Sequence, residues 1–176
     1  TPKPKTSTFT STGAGSVLMS KNKGKIRIES TTIGKVIDLG IKDTFHMGAA
    51  MAPSAAYTIN KHLKDLKREA NYYDLIVTGD LGVYGKEILK DFLKTEYNVI
   101  LDKNYNDCGC MLYDLENQEV FAGASGPASS ALVTYSYIFE MMKRGKYQKV
   151  LLVATGALMS PTLINQKMTI PSVSHA

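Results

Sequence analysis

The chain has 176 residues, 44% hydrophobic, with 21 Lys+Arg against 16 Asp+Glu, two Cys and no Trp. A chain of that length makes one domain that buries roughly 70% of its unfolded surface, without a disulfide or metal staple. The composition excludes collagen, coiled coil, wholesale disorder and a small disulfide scaffold, and no run approaches the ~20 apolar residues of a membrane span.

The net charge of +5 is unevenly placed. Residues 1–35 carry Lys3, Lys5, Lys21, Lys23, Lys25, Arg27 and Lys35 against Glu29 alone, whereas the rest is nearly balanced. Such a stretch suits an anionic surface, but its basic residues are not interleaved with aromatics as single-strand binding requires. It reads as a solvated lead-in with a polar hairpin loop at Lys21–Lys25, and nucleic acid is not expected as a partner. Cys108 and Cys110 suit a reducing compartment. Their spacing is not that of a redox or zinc pair. With no initiator Met and no signal-peptide pattern, the sequence reads as beginning mid-protein.

Residues 1–12 form a loose lead-in, followed by an expected strand at 16–20 and a second, alternating and β-branched, at 25–33. Residues 38–53 read as a Gly-, Ala- and Met-rich loop ending at Pro53. Ser54 is then the N-cap of a helix with Ala55, Ala56, Ile59, Leu63 and Leu66 inward. His62 is expected on its polar side and His46 in the preceding loop. The run 73–78 is a compact apolar strand suited to a sheet buried on both faces, closed by Gly79-Asp80-Leu81-Gly82. A helix follows over 86–97, then a polar loop over 98–107. Residues 110–113 and 119–122 read as short strands or buried segments. Gly123-Ala124-Ser125-Gly126-Pro127 is a turn that starts a helix, which runs to Gly145. A buried strand at 150–155 stops at Gly156. Alternating strands and helices argue an α/β domain. Sites in such sheets lie beyond the carboxyl ends of the strands, where Gly79-Asp80, the 123–126 turn and Gly156 converge.

The order Gly123-Ala124-Ser125-Gly126, Leu132-Val133-Thr134, Arg144-Gly145 and the strand ending Ala154-Thr155 resembles the carboxyl-terminal half of the thiolase fold. A second likeness spans nearly the whole chain. Its runs are Thr31–Val36 with Asp38–Ile41, Met47–Pro53, Tyr73–Leu81, Asp107–Gly109, Ala154–Thr162, Gln166-Lys167 and Ile170-Pro171. These are similar to the stage V sporulation protein AD family, thiolase-like components of the channel system of endospore-forming bacteria.

The resemblance implies an α/β, thiolase-like fold of two halves in α-β-α-β-α layers, with a mixed central sheet and helices on both faces. Residues 1–24 would end the first half and 25–176 form the second, its final strand expected after Ala176. The first half of the same protein is then an expected partner, as are a second copy in a homodimer and membrane proteins of the channel system. The protein is expected to be peripheral on the forespore or spore inner membrane.

Thiolases draw a His and a second Cys from this half, for orientation and proton transfer. Here Val120-Phe121-Ala122 and Ala154-Thr155 stand at those positions, and Gly79-Asp80 where condensing enzymes place a His. The chain therefore reads as non-enzymatic, with no cofactor and no metal site of its own. The resemblance implies that the former acyl pocket holds dipicolinic acid, with or without calcium. Gly79, Asp80, Ser125, Gly126, Gly156 and His175 are the expected ligand-binding residues. A Gly-rich turn at a helix start offers N–H groups to an anion; Asp80, by contrast, would repel a free dianion unless calcium, protonation or a partner group intervened. Two alternatives stay open: an assembly subunit without ligand, and a condensing or acyl-transfer enzyme whose catalytic groups lie in the other half.

Overall fold

A computed structural model describes residues 2–176. A two-residue strand β1 (Phe9–Thr10) is followed by α1 (Met47–Asp65), a 3₁₀ turn (Ala70–Tyr72), β2 (Leu75–Thr78), α2 (Gly82–Tyr97) and β3 (Tyr105–Asp107). Then come a helical turn α3 (Cys108–Met111), β4 (Ala124–Ser125) and α4 (Ser129–Leu132). The chain goes on without a break through a π-helical stretch (Val133–Ile138) into α5 (Phe139–Lys143). Last are β5 (Val150–Ala157), α6 (Pro161–Asn165) and β6 (Ser172–His175).

The main sheet has the order β3-β2-β5-β6. Its first three strands are parallel, with Ile76 opposite Tyr105 on one side and Leu151 on the other. β6 runs antiparallel to β5, pairing Ala154 with His175 and Thr155 with Ser174. The continuous apolar run of β2 is explained by burial on both faces. Ile76, Leu151 and Val153 pack beneath α1 and α2, with Ala55, Ile59, Leu89 and Leu93. Leu75, Val77 and Cys108 pack on the opposite face with Val133 and Ile138. The fold is thus mixed α/β, with helices on both faces of a mixed sheet, as expected. Burying each of these Leu, Ile or Val side chains contributes about 1.5–3 kcal/mol. Gly145, at φ +78°, ends the 129–143 helix where its spacing predicts.

Several local expectations are overturned. The strands expected at 16–20 and 25–33 are absent: Leu18 is 92% exposed and Ile33 80%. An apolar or alternating run becomes a strand only where a continuous edge faces it, and these residues meet no continuous edge. The segment instead joins the sheet at isolated points, where Ile37 bridges Ser172 and the Ala176 N–H donates to the Thr32 carbonyl. Pro53 does not end a loop but lies inside α1, which begins at Met47 with the His46 ring as its cap. Pro53 removes one hydrogen bond from the second turn. The burial of Met51, Ala52, Ser54, Ala55 and Ala56 around it outweighs that loss. The expected loop at 98–107 supplies β3, and 108–111 is a helical turn. β6 places a strand at Ser172–His175, ahead of the position after Ala176 where the sequence led to one being expected.

His62 is also misplaced by the sequence reading. It is buried, not on the polar side of α1. Its Nδ1 lies 2.7 Å from the Thr32 hydroxyl and its Nε2 2.7 Å from that of Tyr73. Arg68 donates to the Tyr73 oxygen at 3.1 Å and to Glu29 at 2.9 Å. A neutral imidazole has one N–H donor and one acceptor, and both hydroxyls can play either role, so each ring nitrogen of His62 is paired in either tautomer. This chain of bonds ties residues 29–32 to α1.

Candidate functional site

The strand ends do converge. β2 ends at Thr78, and the next two residues turn sharply against β5. Gly79 is required there, because a Cβ on it would lie 2.5 Å from the Thr155 hydroxyl. The turn presents the Asp80 carboxylate to two other segments. The Gly126 N–H donates to Asp80 Oδ2 at 3.0 Å, and the Thr155 hydroxyl donates to Asp80 Oδ1 at 2.8 Å. The Asp80 N–H donates back to Thr155 at 3.1 Å. Asp80 thus crosslinks the carboxyl end of β2, the Gly-rich turn and β5. Burial raises its pKa above the ordinary carboxylate value, and the bonds from Thr155 and Gly126 oppose that rise.

Ser125 lies one residue from this crosslink, in β4, which pairs in parallel with β1. Its hydroxyl accepts from the Thr8 hydroxyl at 2.7 Å, and its carbonyl accepts from the Ser11 N–H at 2.9 Å. Ser125, Lys3, Ser7, Thr8, Thr10, Thr44, Phe45 and Met47 line a cleft of about 200 Å³. The Ser7 hydroxyl is buried there without a hydrogen-bond partner among the described residues. Hydroxyls and an ammonium group are donors, so the cleft is chemically suited to an anionic oxygen.

Of the expected residues, Gly79, Asp80, Ser125 and Gly126 therefore come together. Gly156 and His175 do not join them. Gly156 pairs with Val173 across β5 and β6, and His175 is exposed, its Nδ1 accepting from the Gly34 N–H at 3.2 Å. The expectation that the Gly126 N–H is free for a ligand also needs correction, because Asp80 already occupies it. The sequence reading missed Thr155, which it treated only as a replaced Cys, as well as Lys3, Ser7 and Thr8. Thr155 carried a signal in its place at the end of a buried strand. The lead-in residues carried none.

A second carboxylate, Asp107, supports the site from behind. It is fully buried at the end of β3. Its Oδ2 accepts from the Thr78 hydroxyl at 2.6 Å and the Leu81 N–H at 3.0 Å. Its Oδ1 accepts from the Gly82 and Gly109 N–H groups, each at 3.0 Å. Asp107 thereby caps both α2 and α3. Burial pushes it up to about 6 despite these bonds. The neighbouring thiols are pushed up too, Cys110 to about 12 and Cys108 further, chiefly by burial. Neither is a ready nucleophile at neutral pH. Among the described residues, no group of three or more His, Cys, Asp or Glu is placed to hold a metal ion. Nor is any helix long and apolar enough to cross a membrane.

The family model described as "Stage V sporulation protein AD (SpoVAD)" matches residues 1–176. A curated relative, stage V sporulation protein AD of Bacillus subtilis (strain 168), is 54% identical over 173 residues. That match covers 98% of this chain and 51% of the relative, so the chain spans about half the relative's length. The chain belongs to the stage V sporulation protein AD family.

Proposed function

We propose that this chain forms the carboxyl-terminal half of a thiolase-like, non-catalytic protein that binds dipicolinic acid during sporulation, for its uptake into the developing spore. The observation that carries the reading is the Ser125 cleft. A small space lined by hydroxyls and the Lys3 ammonium adjoins the Gly-rich turn at the strand ends. Pyridine dicarboxylate offers carboxylate oxygens to such donors and a flat ring to the Phe45 and Met47 side of the cleft. Calcium is an optional companion of the ligand, supplied with it.

The absence of catalysis is supported by what the polar groups already do. Asp80, Thr155 and Gly126 are engaged with one another, and both thiols are held protonated by burial. A base for nucleophile activation has to be within reach of its proton and free to take it. His175 is turned to Gly34 instead. In this reading the other half of the protein covers Val17, Leu18, Met19 and Ile33, whose exposure would otherwise be costly. The assembly would be peripheral on the forespore or spore inner membrane, with membrane proteins of the channel system as partners and a homodimer as a further arrangement.

Calorimetric titration of dipicolinic acid, with and without calcium, tests the reading on the protein and on Ser125→Ala. Saturable binding is expected, weakened about tenfold by the substitution, the worth of one hydrogen bond to a charged group. Failure of the unaltered protein to bind the ligand in either condition would refute the reading.

A further inference from the structure

We infer that the Asp80 carboxylate is a resident stand-in for a ligand carboxylate, and that an incoming second carboxylate competes with it for the Gly126 N–H and the Thr155 hydroxyl. The inference rests on the binding reading above and assigns to that site the residue that sets its charge preference.

The geometry is that of an anion seat filled from within. Each oxygen of Asp80 takes one neutral donor, a turn N–H and a hydroxyl, at 3.0 and 2.8 Å. No Lys or Arg makes an ion pair with it among the described residues. A carboxylate held only by neutral donors in a partly buried position is one that a better-placed anion can displace. Its neighbour Asp107 differs in this respect, because four donors hold it in full burial.

The seat adjoins the cleft. Gly126 follows Ser125 directly, and a Cβ built on it would lie 3.3 Å from the Thr10 methyl, which belongs to the cleft wall. The Gly126 N–H is the next peptide along the chain from Ser125, so the contested donor belongs to the same turn as the cleft wall. A monocarboxylate seated in the cleft leaves Asp80 undisturbed. A dicarboxylate brings its second charge against Asp80, and the two cannot share the same two donors. Asp80 therefore discriminates between ligands of one and two carboxylates, and its removal relieves only the latter.

The test compares pyridine-2,6-dicarboxylate with pyridine-2-carboxylate by calorimetry on the protein, Asp80→Asn and Thr155→Val, with melting curves run in parallel. Asp80→Asn is expected to tighten the dicarboxylate by about tenfold, since relief from a like charge is worth on the order of one pKa unit. It should leave the monocarboxylate within about twofold, because that ligand does not reach the donor pair. Thr155→Val removes a contested donor and should weaken the dicarboxylate. Dicarboxylate binding that is unchanged or weaker in Asp80→Asn overturns the inference while leaving the binding reading intact. If Asp80→Asn does not fold, unchanged dicarboxylate binding by Thr155→Val overturns it instead. Loss of both ligands from the unaltered protein and both variants overturns the binding reading, and the inference with it.

Discussion

Asp107→Asn isolates the work of the buried carboxylate that holds the strand-end turns. Asparagine matches the shape but must aim an NH₂ at donors. Aimed at the Oδ1 side it would face the Gly82 and Gly109 N–H groups. Aimed at the Oδ2 side it faces the Thr78 hydroxyl, which can rotate, and leaves only the Leu81 N–H unpaired. That orientation costs about 1–3 kcal/mol for one orphaned buried donor. Against this stands the cost of burying the charge. A pKa raised from 3.8 to about 6 corresponds to ~3 kcal/mol at alkaline pH. The sign follows from linkage. A raised folded-state pKa contributes stability that is whole below 3.8 and is lost as the pH rises through about 6. Asparagine carries no such charge. Its cost relative to wild type should therefore fall by ~2 kcal/mol between pH 4.5 and pH 8, bringing it close to neutral at the upper end. Asp107→Ala orphans the Leu81, Gly82 and Gly109 N–H groups together and should be more destabilising than asparagine at every pH. Urea unfolding across that pH range measures both variants. Equal, pH-independent losses for the two substitutions would refute the argument, because they would mean that neither the charge nor its donors matter.

Other consequences are as specific. Gly34→Ala places a Cβ 1.9 Å from the Ser174 carbonyl and 2.4 Å from the Thr58 hydroxyl. It should cost about 1–3 kcal/mol in urea unfolding and speed hydrogen exchange at the Thr32 and Ile37 amides; a neutral result would mean that this segment does not pack on β6. His62 has its pKa lowered, first by burial and then by Arg68, with Asp65 opposing. Its contribution is whole above the unfolded value of about 6.5 and is lost as the pH falls below it. His62→Phe should therefore flatten the decline in stability from pH 7 toward pH 5, while costing stability at pH 7 through the orphaned Thr32 and Tyr73 hydroxyls. A decline as steep as that of wild type would remove His62 as its source. With Cys110 raised from 9.0 to about 12, its thiolate fraction at pH 8 should be about 1,000-fold below that of an unperturbed thiol. Labelling with a maleimide should be slow in the folded protein and fast in urea; rapid stoichiometric labelling of the folded protein would contradict the burial.

What the sequence made legible was whatever local pattern and burial specify together. The apolar runs of β2 and β5 could be read because both faces of those strands are covered, so no polar residue interrupts them. The long helices could be read from their 3.6-residue stripes. The same stripe held the correction for His62: it lies three residues after Ile59 and seven after Ala55, on the inward side of α1, where a polar residue needs partners. Its partners come from residue 32 and residue 73, and no local pattern announces them. The expected strands at 16–20 and 25–33 failed for a related reason. The apolar run at 16–20 and the alternation at 25–33 are real, but pairing is a property of the edge opposite, and the second segment meets the sheet at Thr32, with a further bridge at Ile37 beyond it. The site divides along the same line. Asp80 and the Gly-rich turn could be found from the rule that strand ends build sites. That Asp80 fills the Gly126 donor itself could not, since it depends on Gly79 letting β2 turn against Thr155, 75 residues away. The crosslink gives the repulsion expected of Asp80 a definite place, at the Gly126 N–H and the Thr155 hydroxyl. On the inference drawn above, the carboxylate expected from sequence as a ligand contact is the group a second ligand carboxylate would have to displace, and substituting it should strengthen dicarboxylate binding.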